Sequence, residues 1–241
     1  MADNSGAAVV IGAGPGLGSA LVRRFAQAGM KVAAARRDAG QLDRLVKELG
    51  AGVRAYSCDA TDEESVTSLF AGITKDMGTP RLLVYNAGGF IRKSVLETSR
   101  EEFERSWRNA CLGGFLTGRE AVRAMLAAKA DGHHKGTVIF TGATASLRGG
   151  ANFLNLAVGK FALRAVSQSM AREFQAQGIH VAHVIIDGQI ESERPGRSVA
   201  ERGVDAVLSP AAIAEAYYQL HVQSPSAWTL ELDLRPYVEK F

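Results

Sequence analysis

The sequence predicts a doubly wound α/β fold, in which a parallel sheet of about seven strands lies between two layers of helices. Short apolar runs alternate with longer segments of helical periodicity along the 241 residues. The runs are apolar almost throughout, as in parallel strands that are buried on both faces and joined by right-handed crossovers. A glycine-rich turn, GAGPGLG, directly follows the first run. Because no repeat or linker interrupts this order, we expect one domain over residues 1–241.

The strands are predicted from short runs of residues with strand propensity that are bounded by glycine, by polar turns or by helical segments. In chain order the predicted strands cover residues 7–11, 31–35, 53–58, 81–85, 137–141, 180–186 and 228–232.

The first three helices are predicted from apolar spacing and capping residues. Apolar positions in residues 19–29 keep the helical period, and the pattern stops at Gly29. Residues 41–49 are amphipathic and are followed by another glycine. Thr61 and Glu64 have the spacing of a capping box, which predicts the start of the third helix.

Later helices are predicted to start near Ser99, near Asn152 and at Ser209. The last of these begins with a capping serine followed by Pro210, which suits the first turn of a helix. Residues 187–203 form the most irregular segment and follow a predicted strand end. Two interpretations of this polar segment stay open, a flexible lid over the site or a plain surface loop.

Composition narrows the expected partners. The net charge is only +3 and the basic residues form no long run, so no nucleic-acid partner is expected. No apolar segment approaches the roughly 20 residues of a membrane helix, and the chain starts without a signal-peptide pattern, so no membrane association is expected. Cys58 and Cys111 have neither metal-ligand nor CxxC spacing. This indicates reduced thiols in a cytoplasmic protein and no metal site.

The glycine-rich turn after the first strand carries the strongest chemical signal. The plain G-x-G-x-x-G template fails, because Leu17 stands at its last position, whereas Gly12, Gly16 and Gly18 fit the spacing G-x-x-x-G-x-G. A tight turn that opens a helix lets backbone amides approach a diphosphate. The pattern therefore predicts a Rossmann-type dinucleotide site that includes Gly14 and Leu17.

The end of the second strand indicates which nucleotide binds there. Arg36 and Arg37 stand where NAD-binding sites usually have a carboxylate, and the nearest acid, Asp38, comes after them. A guanidinium suits the 2′-phosphate of NADP, so NADP(H) is expected and NAD(H) is the less favoured cofactor. Past the third strand, Asp59 and the adjacent Ala60 are predicted to border the adenine, although Asp59 could equally cap a turn.

At GAGPGLG, YSCDATD, VYNAGG and LNLAVGK the chain resembles the short-chain dehydrogenase/reductase superfamily. The resemblance spans nearly the whole chain and implies that Asn86, Ala87 and Gly88 steady the sheet and border the adenosine ribose. It implies that Lys160 binds the nicotinamide ribose, and Lys160 is the one predicted catalytic residue. The predicted nucleotide site is completed by Thr141, Gly188 and Ile190.

The rest of the family's catalytic set does not carry over. Its tyrosine would fall at Leu156, its serine at Ala143 and its asparagine at Cys111, and the usual Pro-Gly after the sixth strand reads Asp187-Gly188. The chain therefore looks like a divergent subgroup without the standard tetrad. A positioned general acid is worth about 10²–10⁴ in rate, so poor ketone reduction is expected.

Three functions remain open, and each implies a different role for the site. In the first, another group supplies the proton, and the candidates are Thr144, Ser146, Asn155, Cys111 and Asp187. In the second, the small-molecule substrate is an iminium ion or an enone that needs no strong acid. In the third, the protein binds NADP without turnover, as a sensor or as an assembly partner. The resemblance also implies a homodimer or homotetramer.

Overall fold

The apolar runs of the sequence form one sheet of seven parallel strands within the residues that the computed structural model describes, which are 6–128, 134–193 and 195–239. The strands are β1 (Ala7–Ile11), β2 (Lys31–Arg36), β3 (Val53–Ser57), β4 (Pro80–Tyr85), β5 (Gly136–Thr141), β6 (Ile179–Ile186) and β7 (Glu231–Leu234).

Helices connect these strands. They are α1 (Leu17–Gln27), α2 (Asp43–Leu49), α3 (Glu63–Met77), α4 (Arg100–Trp107), α5 (Gly113–Ala127), α6 (Leu154–Phe174), α7 (Val199–Arg202) and α8 (Pro210–His221). One π-helical turn, Arg108–Leu112, joins α4 to α5.

The helices cover both faces of the sheet, which confirms the predicted three-layer fold. Successive residues of β1 point to opposite faces, as the two-residue period of a strand requires. Val9 packs in a core with residues of α3, α5 and α6. Its neighbour Val10 packs in a second core with residues of α1, α2 and α8. Burial on both faces explains why the central strands are apolar almost throughout.

The strand order places a cleft beside β1. The order across the sheet is β3-β2-β1-β4-β5-β6-β7, so the winding reverses between β1 and β4. Ile11 pairs with Tyr85 where these two strands end. In open α/β sheets, ligands bind outside the carboxyl ends of the strands at such a reversal.

Two of the predicted helix starts are confirmed by their caps. Ser99 and Glu102 form a reciprocal capping box at the start of α4. The Ser209 hydroxyl accepts a hydrogen bond from the Ala212 amide, and Pro210 occupies the first position of α8. Such caps are local, which is why the sequence pattern identifies them.

The predicted capping box of the third helix is wrong. The N-cap of α3 is Asp62, whose carboxylate accepts the Ser65 amide at 2.7 Å. Thr61 is engaged in the preceding turn, because its amide and hydroxyl both donate to Asp59 Oδ1. Its hydroxyl is therefore already used, and Glu64 lies within the first turn without the predicted role.

The last strand is displaced from its predicted position over residues 228–232. It begins at Glu231, because the preceding residues make loop contacts instead. The Thr229 amide donates to Gln223 Oε1 at 2.9 Å, and the Trp228 indole donates to the Gln223 carbonyl. These side-chain contacts depend on a nearby 3₁₀ turn that the apolar pattern does not indicate.

Because three histidines are buried, we predict that acid destabilises the fold. His180, His183 and His221 are almost fully buried, and burial lowers the pKa of all three, to about 4 for His183 and about 3 for His221. The folded state keeps them neutral, whereas the unfolded chain protonates near pH 6.5. Their contribution to stability is therefore complete above pH 6.5 and is lost as pH falls toward 4.

As the pH falls below 6.5, the free energy of unfolding should decrease by about 1.4 kcal/mol per pH unit for each buried histidine. This slope holds as long as that histidine remains neutral in the folded protein. Urea unfolding at pH 7.5, 6.0 and 5.0 measures this slope. His221→Asn, which cannot titrate, should have a slope smaller by one histidine's share. Identical slopes for the two proteins would show that His221 does not contribute.

Candidate active site

The glycine turn after β1 forms the floor of the cleft. Gly12 has a φ of +86°, and a Cβ there would lie 2.8 Å from the Ala87 amide nitrogen. A Cβ on Gly18 would lie 2.3 Å from the Gly12 carbonyl oxygen. Side chains at these positions would collide with backbone, so only glycine permits this close packing of turn, helix and β4.

The N-terminus of α1 opens into the cleft. Gly16, at a φ of +88°, is its N-cap, and no side-chain hydrogen bond caps the helix in the described residues. Gly14, Gly16, Leu17 and Gly18 line a cavity above the turn. Uncapped amides at a helix start are donors that favour an anionic ligand.

Arg36 and Arg37 border an adjoining cavity of about 600 Å³ at the end of β2. Arg36 Nη1 lies 3.8 Å from where a Cβ on Gly14 would be, so its guanidinium reaches the glycine turn. Two basic side chains therefore face the same cavity as part of the glycine turn. This arrangement suits an anionic group.

Asp59 and Ala60 line this cavity from the end of β3. Asp59 also caps a turn, because its carboxylate accepts both Thr61 donors. These hydrogen bonds hold the pKa of Asp59 below its usual value, and Arg37 and Arg108 lower it further. The residue thus combines turn capping with a position at the cavity.

Asn86, Ala87 and Gly88 line the cavity from the end of β4. The Asn86 side-chain amide donates to the Gly12 carbonyl at 3.2 Å, and its backbone amide donates to the Ile11 carbonyl at 2.9 Å. Asn86 therefore ties the end of β4 to the glycine turn.

Asn109 also lines this cavity, although its position in the sequence gave no signal for it. It lies in the π-helical turn between α4 and α5, and its carbonyl accepts a hydrogen bond from the Tyr85 hydroxyl. Cys111 is buried in the same turn, and burial raises the pKa of its thiol. π-helical turns recur at functional sites, but a helical period does not reveal them.

Lys160 reaches the carboxyl ends of the strands from α6. The side chain is buried, and its ammonium donates to the Thr141 carbonyl at 2.6 Å. Burial lowers its pKa to about 8. A Cβ on Gly88 would lie 3.7 Å from Lys160 Nζ, so the ammonium lies close to the cavity wall. Leu156, half-buried, is one helical turn before Lys160 on the same face.

The candidate proton donors after β5 already have partners. The Thr144 hydroxyl donates to the Asp187 carboxylate. Arg235 Nη1 lies 3.4 Å from the other oxygen of Asp187. Ser146 is fully buried, accepts a hydrogen bond from the Ala143 amide and lies 3.2 Å from His183 Nε2.

Asn155, another candidate donor, is also buried and engaged. Its side-chain amide donates to the Thr98 hydroxyl at 3.2 Å, whereas its oxygen Oδ1 makes no hydrogen bond among the described residues.

Two of the residues that were predicted to bind the nucleotide lie after β6. Gly188 has a φ of +137°, and a Cβ there would lie 2.8 Å from Pro236 Cδ, so it packs against the C-terminal segment. Ile190 pairs with Leu208 and lines the cavity above the glycine turn together with part of residues 187–203. That segment includes α7, and several of its described residues line the same cavity as the glycine turn. Its position fits both predicted interpretations, a lid or a loop.

Neither metal ligation nor a membrane span is supported by the part of the chain that is described. No three His, Cys, Asp or Glu side chains there are grouped to hold a metal ion. Within the same residues, no helix combines the length and apolarity needed to cross a bilayer.

A family model described as short chain dehydrogenase matches residues 6–202. The chain belongs to the short-chain dehydrogenase family. Members of this family are NAD(P)-dependent oxidoreductases, so this is the enzyme class of the chain.

Several known proteins are similar to this chain over most of their length. The chain is 40% identical to a short-chain dehydrogenase from Rhodopseudomonas palustris, with a TM-score of 0.82, covering 97% of this chain and 99% of that one. It is 29% identical to carbonyl reductase family member 4 of Danio rerio, over 90% of this chain and 91% of the relative. It is also 29% identical to inactive 2-(S)-hydroxypropyl-CoM dehydrogenase 2 of Xanthobacter autotrophicus, over 81% and 82%.

Structures under 25% identical to the chain share its fold. A metagenomic short-chain oxidoreductase solved in complex with NADP is 22% identical, with a TM-score of 0.81 over 97% of this chain and 98% of that one.

Proposed function

We propose that the protein is an NADP(H)-dependent oxidoreductase of a divergent short-chain dehydrogenase subgroup that lacks the standard catalytic tetrad. The observation that carries this proposal is the buried Lys160 ammonium, which lies against the cavity wall while Leu156 occupies the preceding helical turn. Among the described residues the ammonium has one hydrogen-bond acceptor, the Thr141 carbonyl, so two further donors are available to a ligand. Its position supports nucleotide binding without the usual acid beside it.

The residues around the cleft fit a dinucleotide. Gly12, Gly14, Gly16, Leu17 and Gly18 would hold the diphosphate, because their turn admits backbone close to the ligand. We assign the adenosine end to Asp59, Ala60, Asn86, Ala87 and Gly88. We assign the nicotinamide end to Thr141, Lys160, Gly188 and Ile190. When bound, NADPH supplies a hydride.

Arg36 and Arg37 support NADP(H) over NAD(H). Both side chains face the cavity that the adenosine end would occupy, and neither pairs with a carboxylate there among the described residues. A guanidinium and a phosphate form a charge-assisted, bidentate contact that the ribose hydroxyl of NAD cannot reproduce.

The remaining polar groups favour a substrate that needs no strong acid. The Thr144 hydroxyl donates a hydrogen bond to the Asp187 carboxylate, and Ser146 is enclosed beside His183. The Cys111 thiol has a raised pKa and is a weak acid. An iminium ion already carries a positive charge, so hydride addition neutralises it and creates no oxyanion. The carbonyl of an enone can be bound by groups other than those at positions 156 and 143. For a carbonyl substrate, Lys160, with a pKa of about 8, is the proton source that we assign.

A non-catalytic NADP sensor on the same fold is the alternative, and the altered positions Leu156 and Ala143 favour it. The name of the Xanthobacter autotrophicus relative describes that protein as inactive.

NADPH oxidation measured against cyclic imines, enones and ketones distinguishes the two functions. We expect turnover with an imine or an enone and slow turnover with simple ketones. NADPH binding without turnover of any of the three classes would favour the sensor.

Lys160→Ala is expected to weaken NADPH and NADH alike by about 10- to 150-fold, the range for a lost hydrogen bond to a charged group. Calorimetry measures both affinities, and Lys75→Ala, at an exposed position on α3, is the matched control. The wild-type affinity should also fall as pH rises through about 8, because the ammonium loses its proton. The variant should lack that dependence. Unchanged affinity would remove Lys160 from the nucleotide site.

We propose a homodimer or homotetramer with one domain per chain, acting in the cytoplasm on a small molecule. Exposed aromatic side chains on α4, α5 and α6 support association: Phe103, Trp107, Phe115 and Phe161. Both cysteines are free and buried, which is consistent with a reducing compartment. Light scattering after gel filtration tests the oligomeric state, and a monomer would reject it.

A further inference from the structure

Two loops at the edge of the cleft bring a pair of phenylalanine rings together. Phe90 follows β4, and Phe153 is the N-cap residue of α6. Their ring centroids are 5.4 Å apart, and the planes are tilted by 36°. The Lys93 amide donates to the Asn152 carbonyl at 3.2 Å and ties the two loops. Phe90 is still 49% exposed, so the pair presents an aromatic surface to its surroundings.

This aromatic pair borders the end of the site where Lys160 lies. Phe90 is two residues after Gly88, whose Cβ position would be 3.7 Å from Lys160 Nζ. Phe153 accepts the Leu156 amide at 3.1 Å through its carbonyl, in the first turn of the helix that carries Leu156 and Lys160. A molecule held on the rings would therefore lie next to the proposed reactive end.

A positive charge accompanies the rings. The Arg92 guanidinium carbon lies 5.6 Å from the Phe153 ring centroid, and Arg92 forms no ion pair with the acids of the described ranges. The nearby acids have other partners. Glu102 pairs with Lys93 at 2.6 Å, and Glu97 accepts the Ser94 hydroxyl. Arg92 is thus a cation beside an apolar surface without a counter-charge from these acids.

We propose that Phe90, Phe153 and Arg92 form a specificity site for a small-molecule substrate with an aromatic or other flat apolar body and an anionic group. The rings would pack against the apolar body, and Arg92 would bind the carboxylate, sulfonate or phosphate. This inference rests on the proposed function, because it names the substrate class of the same site. These residues select the substrate and take no part in its chemical step.

Calorimetric titration with 2-naphthoate and with its neutral analogue 2-naphthamide tests the proposal, with and without saturating NADP⁺. We expect the acid to bind the wild type at least about tenfold more tightly than the amide, because only the acid forms a charge-assisted contact. Arg92→Gln should reduce the affinity for the acid to that for the amide and leave the amide unchanged. Phe153→Leu should weaken both probes.

The matched control is Arg172→Gln, at an exposed position near the far end of α6, which should retain the preference for the acid. Equal affinities for acid and amide, no binding of either, or an acid preference that survives Arg92→Gln would each overturn the proposal. The titration with NADP⁺ alone tests the proposed function separately from the specificity site. Absent NADP⁺ binding with an intact acid preference would reject only the proposed function, whereas normal NADP⁺ binding with no acid preference would reject only the specificity site.

Discussion

The triple variant Leu156→Tyr, Ala143→Ser, Cys111→Asn is expected to reduce simple ketones with NADPH at least about 10²-fold faster than the wild type, up to about 10⁴-fold. A ketone that is reduced must gain a proton on its oxygen. A tyrosine at position 156 would lie one helical turn before Lys160, and the ammonium would lower the pKa of its hydroxyl. The added serine hydroxyl would stabilise the charge that develops on the oxygen.

The quantity to measure is kcat/KM for a panel of ketones. Leu156→Phe in the same double-substituted background is the matched control, because it provides the ring without the hydroxyl. Equal rates for the tyrosine and phenylalanine proteins would contradict the account. That result would mean that the wild type has another acid or that position 156 does not face the substrate.

Replacing Arg36 and Arg37 together by alanine should weaken the affinity for NADPH by about 10- to 150-fold. The affinity for NADH should change by less than about threefold. The variant would lose the proposed charged contacts to the 2′-phosphate, a group that NADH lacks. Calorimetry with both nucleotides measures the ratio of the two affinities. Arg54→Ala is the matched control, because Arg54 lies on β3 and pairs with Asp76. An equal loss for both nucleotides would reject the assignment to NADP.

The sequence predicted those parts of the fold that depend on local chemistry. The strand and helix periods follow from burial on one or two faces, and the caps at Ser99 and Ser209 need only neighbouring residues. The cap of α3 was mispredicted because Asp59 accepts both Thr61 donors, which leaves the next residue, Asp62, to cap the helix. β7 was misplaced for a related reason, since side-chain contacts of a loop delay its start.

In the proposed site, the nucleotide side was more predictable than the substrate side. A glycine turn must follow the first strand directly, so Gly12 and Gly18 are evident in the sequence. The contact between Arg235 and Asp187 joins residues far apart in the chain, and nothing local indicates it. The Phe90–Phe153 pair depends on how two loops meet. Such pairings are set by tertiary packing and leave no local pattern in the sequence.

The glycine turn, the paired arginines and Lys160 are together proposed to form a pyridine-nucleotide site. Titration of the wild-type protein with NADPH, followed by calorimetry and compared with NADH under the same conditions, tests it most directly. We expect one saturable site per chain with a clear preference for NADPH. Absence of binding for both nucleotides at millimolar concentration, with the protein shown to be folded, would contradict it.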